Sequence, residues 1–229
     1  MNKSTFSPCC IMILQPKGII MQVIYDIEKG FKVTKIDELL FEPVVVGVGE
    51  FTMKALTKYE EDFNKALNTG QSVVPVLINS YGGYVDAVMA MITVIEASPI
   101  PVATICTGWA MSCGLCLFSC GTPGMRFMGP NARLMLHEIS GGTWGKEKEV
   151  TADAKEMKRL NKNLFRKVSK ACGHKPNYFM DLMRSKINTD FYLSPKQALR
   201  HNIADVIGVP TMTVNAKIKT DFKLNSLVK

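Results

Sequence analysis

Residues 105–142, ICTGWAMSCGLCLFSCGTPGMRFMGPNARLMLHEISGG, carry the side chains best suited to chemistry. Ser112 stands at the mouth of an apolar stretch that reads as a helix, and His137 closes a short apolar strand over 133–137. A serine hydroxyl becomes a nucleophile only with a base within hydrogen-bond reach, and that base needs an acid to hold its tautomer. A helix after Ser112, a tight turn at residues 121–124 and a returning strand can bring serine and histidine together. Of the acids further along, Asp190 sits at a strand end beside a capped turn and is the best placed. Asp181, on a predicted helix, and Asp205, after a short one, are the weaker alternatives. The order serine, histidine, acid differs from the orders of the α/β-hydrolases, chymotrypsin and subtilisin, and Ala110 breaks the G-x-S-x-G elbow.

Such a reaction also needs donors for a developing oxyanion, each worth about 3 kcal/mol. Gly82-Gly83 follows a buried strand and can present backbone N–H groups without side-chain obstruction. The Cys113 N–H, just after the serine at a helix start, points the same way. Each residue also has a plain structural reading: Ser112 as a helix cap, His137 as a satisfied core histidine, the glycines as turns.

The elements that must position these groups alternate. Strands are predicted over 21–26, 42–48, 73–78 and 102–106, and helices over 51–67 and 85–97. Strand-helix alternation with short connections predicts an α/β fold with a buried, largely parallel sheet. A polar strand-like stretch follows over 143–150, then a long charged helix over 151–171 with one narrow apolar stripe at Ala154, Met157, Leu160, Leu164 and Val168. That stripe predicts a helix that protrudes or meets a partner. A helix over 175–185, a capping box at Ser194-Pro195-Lys196-Gln197 and an apolar strand over 203–209 complete the pattern.

The chain has 229 residues, 47% hydrophobic and 21% charged, enough for one domain with a full core. The net charge of +8 comes from scattered lysines without interleaved aromatics, so the composition does not point to nucleic acid. Seven cysteines with no secretory signal point to a reducing, cytoplasmic compartment. Cys113, Cys116 and Cys120 share a helix face but lack a second ligand pair, so they read as core thiols and no metal or cofactor is expected. No uncharged run reaches membrane-spanning length. Residues 1–20 read as an extension, a processed leader or an upstream start, and 210–229 as a basic tail.

Three segments carry a resemblance. They are Ile78-Asn79-Ser80-Tyr81-Gly82-Gly83-Tyr84-Val85, Gly108-Trp109-Ala110-Met111-Ser112-Cys113-Gly114 and Pro130-Asn131-Ala132-Arg133-Leu134-Met135-Leu136-His137. Together they resemble the proteolytic subunit of the Clp protease, and the segment from Asp190 to Ala198 is similar to the region around that family's catalytic acid. The resemblance covers roughly residues 40–209. It implies a serine endopeptidase domain over 21–209 with Ser112 as nucleophile, His137 as base and Asp190 as orienting acid. Gly83 and Cys113 would supply the oxyanion N–H groups, with Gly82 as an alternative donor.

The same resemblance implies a Clp protease/crotonase-like spiral of strand-strand-helix units with a protruding handle region at about 141–172. It further implies heptameric rings and a ring ATPase that unfolds protein substrates. Departures from the family pattern are Tyr81 for proline, Cys113 for methionine, Glu138-Ile139 for Gln-Pro, and Asn188-Thr189 for the Asp-Arg pair that bridges stacked rings. They put the double ring in doubt and fit a divergent relative of phage or capsid-associated type. The competing readings are an inactive ring component, a phage prohead-type protease, a membrane-linked Ser-Lys peptidase and a crotonase-type acyl-CoA enzyme.

Overall fold

The computed structural model describes residues 43–186 and 189–211, together with the backbone of 10–14 and 20–24. Strands β1 (Cys10–Leu14) and β2 (Ile20–Ile24) pair antiparallel. The remainder of the 1–20 segment, Asn188 and the 212–229 tail lie outside the described residues.

From β3 (Val46–Val48) onward the chain repeats one unit: a strand, a sharp bend, a second short extended piece, then a helix. β3 leads through Phe51 into α1 (Met53–Asn68). The Thr52 hydroxyl caps this helix by accepting from the Ala55 N–H, and Leu56, Tyr59, Phe63 and Ala66 form its buried stripe. β4 (Val74–Ile78) leads through Ser80 into α2 (Val85–Glu96). β5 (Val102–Cys106) bends at Thr107-Gly108 into β6 (Trp109–Met111) and α3 (Cys113–Ser119). β7 (Arg126–Met128) bends into β8 (Arg133–Leu136).

The first strands of the units form a five-stranded parallel sheet in the order β10-β7-β5-β4-β3, β10 being Val206–Ile207. The second strands form another sheet, β6-β8-β9, where β9 is Phe191–Leu193; β6 runs parallel and β9 antiparallel to β8. Ser80 joins this second layer through a bridge to Ala110. The result is an α/β spiral of strand-strand-helix units, as the resemblance implies.

α3 lies wholly inside it. All seven of its residues are buried. A helix of two turns is marginal in water by itself. Burial of Leu115, Leu117 and Phe118, each worth roughly 1.5–3 kcal/mol, is what holds it. Its C-terminal end is tied down from behind. Thr104 donates to the Phe118 carbonyl at 2.7 Å, and the Arg126 guanidinium reaches the carbonyls of Ser119 and Ala171 at 3.3 Å. Arg126 is itself paired with Asp205, with Nε to Oδ2 at 2.8 Å, and the Asp205 carboxylate also accepts from the Gly124 N–H at 2.8 Å.

Several expectations are corrected. Residues 143–150 form no strand: α4 runs Glu147–Ala171, its start fixed by the Lys146 backbone N–H, which donates to the Glu149 carboxylate at 3.0 Å. Phe165 joins Leu164 and Val168 in the core, whereas Ala154 is exposed and Met157 and Leu160 are half-buried. The C-terminal half of α4 therefore packs against the body, and only its N-terminal half stands out. α5 starts later than predicted (Tyr178–Ser185), and α6 (Pro195–Arg200) carries the expected Ser194–Gln197 capping box. The strand predicted over 203–209 shrinks to β10, because Ile203 and Ala204 are buried beneath the end of α6 rather than paired in a sheet.

Candidate active site

A single residue separates β6 from α3, and that residue is Ser112. Strand and helix run in different directions, so the backbone reverses there at φ 55° and ψ −119°. A non-glycine residue in that region carries about 1–3 kcal/mol of strain. The surroundings enforce it: the Ser112 N–H donates to the Met135 carbonyl at 2.8 Å, and the Ser112 carbonyl accepts from Cys116 at 3.2 Å. The side chain is thereby aimed out of the helix start toward the end of β8.

There it meets the histidine. Ser112 Oγ and His137 Nε2 are 2.7 Å apart. His137 is half-buried and comes immediately after β8, the strand that also receives the Ser112 N–H. One parallel strand pair, β6 and β8, therefore sets the separation of the two groups. The plain readings of Ser112 and His137 do not describe this arrangement: the Ser112 side chain makes no capping bond to α3.

The Gly82-Gly83 turn lies against the serine from the neighbouring unit. A Cβ on Gly82 would come within 2.8 Å of the Ser112 Cβ, and one on Gly83 would meet the Phe51 carbonyl oxygen at 2.5 Å. Both glycines have positive φ, 114° and 151°. Side chains are excluded here by contact as well as by backbone conformation. The Gly82 N–H is already engaged: it donates to Ser80 Oγ at 3.1 Å, which removes Gly82 as an alternative donor. The Gly83 N–H has no acceptor among the described residues, and the Cys113 N–H, first in α3, lies beyond any intrahelical acceptor.

Gly83, Cys113, Ser112 and His137 line one small pocket, which Val85, Ile139, Leu164 and Phe165 close off with apolar surface. The Cys113 thiol is held away from nucleophilic use. It donates to the Gly83 carbonyl at 3.2 Å, and burial pushes its pKa up. Cys106 and Cys172 are pushed up to about 12 for the same reason.

The acid is differently placed. β8 and β9 pair antiparallel with Leu136 opposite Phe191, so one further step of that register sets His137 across from Asp190. Asp190 is nonetheless exposed, and among the described residues no hydrogen bond joins it to His137. The two weaker candidates are occupied elsewhere. Asp181 is exposed on α5 and pairs with Arg184, and Asp205 is bound by Arg126. Burial alone would raise the Asp205 carboxyl, but the Arg126 guanidinium and the backbone N–H groups of Arg126 and Gly124 more than reverse it and hold it below the usual range.

The family can now be stated. The sequence pattern of the Clp protease family matches residues 65–211, which contain Gly83, Ser112, Cys113, His137 and Asp190. The chain belongs to the Clp protease family. A relative in Mesostigma viride, the ATP-dependent Clp protease proteolytic subunit, is 33% identical over 152 residues. Those residues cover 66% of this chain and 63% of the relative, so the chain spans less than two thirds of that Clp subunit's length. Two parts of the Clp-type site escape sequence reasoning. Ser80 turns the Gly82 N–H aside, its only sequence signal being a polar residue at the end of a buried strand. Leu164 and Phe165 wall the pocket from α4, a helix the sequence pattern sets apart from the body. Among the described residues no helix is long and apolar enough to cross a membrane, and no group of three or more histidine, cysteine or acidic side chains is placed to hold a metal.

Proposed function

We propose that the protein is a serine endopeptidase of the Clp type, hydrolysing peptide bonds through Ser112, His137 and Asp190. The observation that carries this reading is the 2.7 Å contact between Ser112 Oγ and His137 Nε2 at a strained strand-to-helix turn. His137 takes the Ser112 proton as Oγ attacks the scissile carbonyl and returns it to the leaving amine; the acyl-serine left behind is then hydrolysed by water that the same histidine deprotonates, which frees Ser112. The Gly83 and Cys113 N–H groups donate to the oxyanion of the tetrahedral intermediate. Asp190 swings in to accept from His137 Nδ1 and stabilises the imidazolium. The register of β8 and β9 supports that assignment, as does the engagement of Asp181 and Asp205 by arginines.

The name of the Mesostigma relative suggests an ATP-driven complex, and we extend that to this chain as a ring of identical subunits fed by a Clp-type unfoldase. One observation favours a second reading, an inactive ring component: Asp190 is exposed and unbonded to His137. A fluorophosphonate probe separates the two. Covalent labelling at Ser112, with hydrolysis of an unfolded protein that disappears in Ser112→Ala, supports the peptidase. An unlabelled, folded wild-type chain overturns it.

A further inference from the structure

The histidines other than His137 come together at one place, behind β9. His174 follows α4, and its Nε2–H donates to the His201 carbonyl at 2.8 Å. The Tyr178 hydroxyl, at the start of α5, lies 2.7 Å from His201 Nδ1. The His174 and Tyr178 rings stack with centroids 3.8 Å apart, and Phe179 stands edge-on to both. The other side of His201 reaches the strand: its ring meets Phe191 edge to face at 5.8 Å, while Lys186 Nζ lies 5.6 Å from the Phe191 centroid. Phe191 adjoins Asp190 and pairs with Leu136, the residue before His137.

From this we propose that Tyr178 and His201 are a positioning pair that holds β9, and through it Asp190, in register with β8, and that acid releases the hold. The role given to Asp190 rests on the peptidase reading; the grip on β9 does not.

With the Tyr178 O–H donating, His201 is a neutral imidazole whose Nδ1 accepts. Protonation turns Nδ1 into a donor, so the Tyr178 O–H must rotate away and its oxygen can only accept, which loses the bond specific to neutral His201. The new cation also arrives among like charges. The groups acting on His201 are His174 from the α4–α5 corner, Lys186 from the end of α5 and Arg200 from α6, all basic. Asp181 lines a groove with His174, Arg166 and Lys175, but its carboxylate is paired with Arg184. Burial first, then these three charges, lowers the His201 pKa below its ordinary value. A base lowered on folding contributes in full above about pH 6.5, and its contribution is lost as pH falls below that value.

Peptide-level hydrogen exchange on the full chain tests this without reference to catalysis. Between about pH 7.5 and pH 5.5, β9 should lose roughly threefold or more of its protection after correction for intrinsic exchange. In His201→Phe, which keeps a ring against Phe191, that loss should vanish. In Tyr178→Phe β9 should be less protected already at pH 7.5 and lose less on acidification, because the bond favouring neutral His201 is gone; this variant also decides the matter should His201→Phe not fold. In parallel, the acid limb of log kcat should steepen toward a slope of two in wild type and return to one in His201→Phe, with KM unchanged. An equal response of β9 in wild type and His201→Phe, or no response in either, overturns the proposal. Undiminished turnover by Ser112→Ala would instead remove the peptidase reading, and the exchange result would still decide the positioning pair.

Discussion

Ser112 combines reach with strain, and the two can be separated by substitution. Ser112→Ala and Ser112→Gly both remove the hydroxyl and should both abolish peptide turnover and probe labelling. Glycine alone tolerates φ 55° without strain, so Ser112→Gly should be more stable than Ser112→Ala by about 1 kcal/mol in denaturant unfolding. Gly82→Ala acts on the same atom from outside. The added methyl would sit 2.8 Å from the Ser112 Cβ, and a displacement on the order of 1 Å costs about 10²-fold in kcat. Cys113→Ala should keep most activity, because the oxyanion role proposed for Cys113 rests on its backbone N–H and the thiol is buried. The two acids should divide cleanly. With Asp190 as the proposed orienting acid, Asp190→Asn should lower kcat by roughly 10⁴-fold with little change in stability. Asp205→Asn leaves kcat largely intact but strands a buried guanidinium, costing about 3–5 kcal/mol at neutral pH. Because the Asp205 pKa is depressed by folding, its contribution is present above the unfolded carboxylate value of about 3.9 and fades as pH falls through the folded one. The gap in Tm between wild type and Asp205→Asn should therefore close in strong acid. A gap that persists there would mean Asp205 is not the group responsible.

At the scale of elements, α4 divides into halves with different duties. Leu164 and Phe165 wall the pocket that holds Ser112 and His137 and are buried, so Leu164→Ala should cost about 2–5 kcal/mol and, on the proposed function, lower activity as well. Met157 and Leu160, nearer the free end, are half-buried in the single chain. Leu160→Asp should leave the unfolding free energy within about 0.5–1 kcal/mol of wild type while weakening any contact between copies. Measuring both variants by thermal unfolding and by size in solution tests the division; a large stability loss in Leu160→Asp would place the whole helix in the monomer core. β6, β8 and β9 are equally consequential though each is only three or four residues long. Between them they orient the Ser112 backbone, end just before His137 and begin just after Asp190.

For the whole molecule, a Clp-type chain with a projecting helix and an exposed acid suggests a site completed on assembly. Mass photometry at low micromolar protein should show a ring-sized species. A double ring, if formed, should be the part sensitive to Leu160→Asp. A monomer across the accessible concentration range would remove the assembly proposal and leave the 2.7 Å serine–histidine contact untouched.

The main helices and the large parallel sheet follow from local pattern, because helical spacing and continuous apolar runs such as 74–78 state burial residue by residue. Ser112 and His137 were legible as candidates for a related reason: each stands at the boundary of an apolar element, where a polar side chain is conspicuous. β6 and β7, three residues each, are too short to show any periodicity; without β6 the second sheet is invisible, and without β7 the parallel sheet lacks its link between β5 and β10. Arg126 and Asp205 stand 79 positions apart in sequence, and no local rule couples them. The burial of Phe165 depends on which face α4 turns to the body. That α4 packs on the Ser112–His137 pocket at all, and that Asp190 stops short of His137, are outcomes of long-range packing between elements. Periodicity records which residues avoid water; only the tertiary structure decides which of them share a wall.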